Sequence, residues 1–93
     1  MSDDFEKFRK LLAETYLFPV DYTHKFIGKN SDLFITAVEE FEKKFVGLTR
    51  TGEKKSANGN HIALTYSYIA GTPEDIIELA RATHKIQDLI YIL

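Results

Sequence analysis

Ninety-three residues with 44% hydrophobic side chains, seven Phe and five Tyr predict one folded domain over 1–93, long enough for a single core. Twelve basic against fourteen acidic side chains leave a formal charge of −2, which excludes a global field that would gather nucleic acid or anionic lipid. The absence of Cys removes thiol catalysis, cysteine-ligated clusters and Cys-rich zinc sites, and it points to a reducing, cytoplasmic compartment.

No apolar run is long enough to span a bilayer, and the charged, amphipathic start of the chain lacks an apolar h-region, so a soluble, untargeted chain is expected. That start predicts a helix over about 3–16. Asp3 and Glu6 have the spacing of a capping box, and Phe5, Phe8, Leu12 and Tyr16 recur at helical spacing. Phe18-Pro19 ends it, because the residue before a proline is pushed to extended geometry. A strand over Val20 to Gly28 follows, with Tyr22, His24 and Phe26 on a core face and Thr23, Lys25 and Ile27 on the other.

Gly28-Lys29-Asn30-Ser31 breaks that strand and supplies a cap. Phe34, Ala37, Val38, Phe41 and Phe45 then mark the buried stripe of a second helix. Its outer face pairs Glu39 with Lys43 and Glu40 with Lys44 at the favourable i,i+4 spacing. Val46 to Lys55 is a weaker, charged strand suited to a sheet edge. Asn58-Gly59 is a strong hairpin signal, since both central positions of a tight two-residue turn need positive φ.

The hairpin partner is His61 to Ala70, with Ile62, Leu64, Tyr66 and Tyr68 on the core face and His61, Ala63, Thr65, Ser67 and Ile69 opposite. Thr72 caps a third helix, Pro73 sits where its missing N–H costs nothing, and Glu74 and Asp75 complement the positive end of the helix dipole. Asp88 to Leu93 closes the chain as an apolar strand. After the leading helix, the order βαββαβ predicts an α+β, ferredoxin-like core over about 19–93. Right-handed crossovers give an antiparallel sheet of order 4-1-3-2 with both main helices on one face.

Against this frame the chemistry-bearing residues separate. His24 and His61 fall on opposite faces about 13 Å apart along the sheet, and His84 ends a helix, so no metal site is expected and the histidines take structural roles. Glu74 and Asp75 are cap acids, which leaves no catalytic pair. Acylphosphatases share the element order but need an Arg in the loop after the first strand, where this chain has Gly28-Lys29-Asn30-Ser31-Asp32. RNA-recognition domains stack bases on aromatics of the open face. Here Tyr66 and Tyr68 face the helices, the expected [KR]-G-[FY]-[GA]-[FY] run is absent, and nucleic acid is left with the Arg50, Lys54 and Lys55 cluster of the 50–55 loop.

Two candidate surfaces remain. Gly28, Lys29, Asn30 and Ser31 form the best small-ligand loop, since glycine permits close approach and a helix start favours an anion. Ile27, Ala63, Thr65, Ser67, Ile90 and Ile92 are expected to give the open sheet face apolar area, to be covered by a second copy, a protein partner or the leading helix. No cofactor is expected.

Phe18-Pro19, the strand ending in Gly28, Ser56-x-x-Gly59-Asn60, the alternating strand after it and the closing Leu93 resemble the YbeD-like family of small bacterial proteins of unknown function, from Leu11 onward. The resemblance implies the βαββαβ fold and a likeness to ACT-like regulatory domains, which bind small effectors and pair through their sheets. It implies a non-enzymatic regulatory or adaptor module. The Asp-Arg-Pro-Gly type of loop found in ACT domains is absent from this chain.

Overall fold

Alternating side chains build the sheet and three amphipathic stripes build the helices. The structure, a computed structural model, describes residues 5–93. The elements are α1 (Glu6–Thr15), β1 (Val20–Lys29), α2 (Asp32–Lys43), β2 (Leu48–Lys55), β3 (His61–Ala70), α3 (Pro73–His84) and β4 (Leu89–Ile92). The four strands form one antiparallel sheet in the order β2-β3-β1-β4. Among the described residues no helix is long and apolar enough to cross a membrane.

The long β1–β3 ladder pairs Tyr22 with Tyr68, His24 with Tyr66 and Phe26 with Leu64, so the face read as core from the alternation is the face that packs. Against it lie Phe34, Val38 and Phe41 of α2 and Ile76, Ile77 and Leu79 of α3, all buried. Phe26 sits at the centre, stacked on Tyr66 at 5.5 Å between ring centroids and edge-on to Phe34 and Phe41. Such aromatic pairs add about 0.5–1.5 kcal/mol each to their area burial.

Local chemistry fixes the helix starts. Ser31 caps α2 by accepting from Phe34 N–H at 3.2 Å. Thr72 and Asp75 form a reciprocal capping box on α3, with Pro73 in the first turn, as the sequence predicts. The predicted role of Asp3 lies outside the described residues, and α1 starts from Phe5 with no side-chain cap.

Several expectations are corrected. The hairpin turn has positive φ at Gly59 but not at Asn58. Gly59 N–H donates to Ser56 O and Asn58 Oδ1 accepts from Asn60 N–H, so a longer loop closed by Asn58 replaces the tight two-residue turn. On α2 the resolved outer-face ion pair is Lys43 with Glu40 at 3.4 Å, one turn position short of the predicted i,i+4 pairs. The 50–55 segment is not a loop but lies within β2, with a bulge between Arg50 and Gly52.

The leading helix does not cover the open face. Its buried Leu12 and half-buried Phe5 and Phe8 join the core from the helix side. There α1 docks on α3, with Arg9 on Glu74 at 2.8 Å and the Arg81 guanidinium 5.2 Å above the Phe5 ring. Ile92 is likewise not an open-face residue. It stands in register with Phe26 and packs on the core, while Tyr91 takes the place beside Ile27; the extra residue at the β4 irregularity shifts the alternation.

Candidate functional site

Strand length creates the main cleft. β1 has ten residues and β4 only four, and β4 pairs with Phe26, Ile27 and Gly28 alone, followed by one bond from Leu93 N–H to Lys25 O. Beyond that point Tyr22 and His24 have no strand beside them on the β4 side, and α1 lies across the gap. The result is a cleft of about 580 Å³, within the roughly 300–1,000 Å³ usual for ligand sites. Its walls are Phe5 before α1 and Phe8 of α1, Ile76, Ala80 and His84 of α3, Tyr22 and His24 of β1, and the β4 segment.

His24 is the polar centre of this cleft, only 4% exposed. Its Nε2 lies 2.9 Å from Thr83 Oγ1, and the same hydroxyl donates to Leu79 O at 2.7 Å. A hydroxyl has one proton. With that proton on the Leu79 carbonyl, Thr83 Oγ1 must accept from His24, so Nε2 carries the hydrogen. Burial, and then the neighbouring His84, push the His24 pKa down to about 4, so the ring is neutral near pH 7. Nδ1 is therefore a bare acceptor, and it has no hydrogen-bond partner among the described residues. Among the described residues no fully buried side-chain N or O atom lacks a partner, so Nδ1 opens onto the cleft.

Around this acceptor the lining is mostly apolar or aromatic. Tyr22 stacks against the His24 ring at 6.4 Å, and burial followed by the nearby Tyr16 raises its pKa. His84 packs on Phe5 at 6.5 Å. Among the described residues no Lys, Arg, Asp or Glu lines the cleft. The sequence separates His24 from His84 and places Phe5 and Phe8 on one stripe of the leading helix; nothing in their local spacing signals that they would come to the same opening.

The predicted ligand loop has a different occupation. Gly28 is buried within β1, and a Cβ there would lie 2.1 Å from the Phe34 ring, so the glycine admits an aromatic side chain of this chain. Lys29 N–H donates to Asp88 O, Asn30 N–H to Asn60 O and Ser31 N–H to Lys29 O. Asn30 Nδ2 reaches Gly59 O, and Ser31 Oγ donates to Asp88 Oδ2 at 2.7 Å. These bonds engage the groups reserved for an anion and place a carboxylate beside the cap.

The basic cluster is also divided. Arg50 is held by Glu42 at 2.6 Å and Glu53 at 2.8 Å, and Tyr66 donates to the same Glu42 oxygen at 2.5 Å. Burial, then Glu42, raises the Tyr66 pKa, so its hydroxyl stays a donor. Lys54 stands in register with open-face Ala63 and Lys55 with core-face Ile62. Arg50 and Glu53 of this hydrogen-bonded chain, with Lys55, Ile62 and Leu64, line a second cavity of about 200 Å³.

On the open face, Ile27, Ala63, Thr65 and Ser67 are half-buried by their strand neighbours, and Ser67 Oγ donates to Asp21 across the sheet. Ile90, in the β4 irregularity, lines the main cleft. Among the described residues no three His, Asp or Glu side chains converge as ligands for a metal ion.

No curated protein and no solved structure matches the chain. Residues 13–93 do match the model of a family described as protein of unknown function (DUF493), which is consistent with the YbeD-like resemblance, and the chain belongs to that family.

Proposed function

We propose that this protein is a non-enzymatic, cytoplasmic regulatory module of ferredoxin-like topology that binds a small effector in the cleft between α1, α3 and the short edge of β4. The observation that carries this is the cleft itself: about 580 Å³, walled by Phe5 and Phe8, with a neutral imidazole acceptor at its centre. The chemistry of the lining supports binding over turnover, because His24 commits its Nε2 proton to Thr83 and has no nucleophile beside it to activate. The strand order and the ACT-like resemblance support the regulatory part. In this function the open face around Ile27, Ala63, Thr65 and Ser67, left uncovered by α1, is where the module pairs with a second copy.

Methyl-resolved NMR tests the proposal. Small molecules of varied charge, added to the full chain, should shift the Ile76 and Ala80 methyl signals. Binding confined to the open face or to the Gly28 to Ser31 loop would displace the proposal. Light scattering over a range of concentrations tests the pairing separately, and a strict monomer would remove the pairing alone.

A further inference from the structure

We propose that the cleft takes a neutral, planar aromatic molecule carrying one N–H or O–H donor, of the indole or phenol class, with that donor on His24 Nδ1 and its ring against Phe5, Phe8, Ile76 and Ala80. The inference rests on the cleft being the effector site and names the chemistry of the effector.

Three observations fix the class. The acceptor is defined: Thr83 holds the Nε2 side of the ring, and Nδ1 is left, among the described residues, without a partner at the cleft surface. A buried lone pair of this kind selects a donor, because a ligand without one strips water from Nδ1 and returns nothing. The charge is also defined. Among the described residues no Lys, Arg, Asp or Glu lines the cleft, so a carboxylate or ammonium group entering it would lose its hydration with none of these side chains to offset the cost. An amino-acid zwitterion therefore fits poorly. The shape follows from the walls, since Phe5 and Phe8 are tilted at 49° to each other and can meet a flat ring by edge and face. About 580 Å³ is ample for a fused bicycle, given that roughly 150 Å³ holds a benzene.

The test is a titration of the full chain with indole, 1-methylindole and tryptophan, read by the imidazole nitrogens of His24 and the methyls of Ile76 and Ala80. Indole and 1-methylindole share the ring but differ in the donor, so the comparison needs no variant. Indole should move the Nδ1 resonance and bind at least tenfold more tightly than 1-methylindole. His24→Phe should erase that difference, and Ala80→Phe, which narrows the cleft without touching His24, should weaken both ligands. Equal affinity for the two indoles, or an Nδ1 signal that does not move, would overturn the inference. Tryptophan binding in the cleft as tightly as indole would overturn the ligand class and leave the effector cleft standing. If none of the three shifts a cleft resonance, both fall.

Discussion

The burial of His24 makes a quantitative prediction for stability against pH. An imidazole whose pKa is lower in the fold than in the unfolded chain favours folding above the unfolded pKa, and that advantage is lost as pH falls. Here the two values are 6.5 and about 4. Proton linkage then removes about 2 kcal/mol between pH 7 and pH 5, and about 3 kcal/mol by pH 4. Among the described residues, the titratable side chains that line the cleft with it are His84 from α3, Tyr22 from β1 and Tyr91 from β4, while Phe5 and Phe8 face it from the start of the chain. The assay is urea unfolding at pH 7, 6 and 5 for the native chain and His24→Gln. The surface carboxylates are common to both, so the native chain should lose about 2 kcal/mol more than the variant. Parallel pH profiles would refute the argument, and a steeper profile for the variant would reverse its sign.

Other outcomes follow from single contacts. Gly28→Ala should destabilise by about 1–3 kcal/mol or more in chemical unfolding, because its Cβ would overlap the Phe34 ring; pairing it with Phe34→Leu should recover part of the loss. Tyr66→Phe should cost about 1.5–3 kcal/mol, the range for a hydrogen bond to a charged group, and a thermal melt unchanged from the native one would contradict the Glu42 contact. Thr72→Ala should cost about 1 kcal/mol through the lost cap on α3, with hydrogen exchange faster in its first turn; exchange unchanged there would dissociate the cap from helix stability. Leu12→Ala should release α1 at a cost of about 2–5 kcal/mol and open the cleft, seen as increased exchange across α1; uniform destabilisation of all elements would show that α1 folds as one unit with the core.

What could be read in advance was whatever repeats at short range. Alternation in Val20 to Gly28 and His61 to Ala70 placed the buried faces correctly, and Thr72 with Asp75 wrote a capping box that the structure forms. The amphipathic stripe of α1 showed that one side would be buried but not against which surface, because Phe5, Phe8 and Leu12 suit a sheet or a helix equally well. The choice came from long-range partners, Glu74, Arg81 and His84, some seventy residues away along the chain. Gly28 illustrates the same limit. A glycine before a helix cap signals a close approach, and only the fold shows that the approaching group is Phe34 and not a ligand.

The irregular end of β4 was equally hidden. A continuous apolar run from Leu89 to Ile92 has no alternation to set its register, so one extra residue moved Ile92 inward and Tyr91 outward without any local sign. That shortness also made the cleft. Had β4 run the length of β1, the strand would have covered the edge beside Tyr22 and His24.

The cleft turns on one ring: a buried, neutral imidazole that donates a hydrogen bond from Nε2 to Thr83 and presents a bare Nδ1. A long-range proton–nitrogen correlation spectrum of the histidines at pH 7 reads this directly. His24 should show a protonated Nε2 and an unprotonated Nδ1, with no change in that pattern down to about pH 5. A proton on Nδ1, or an imidazolium at neutral pH, would contradict it.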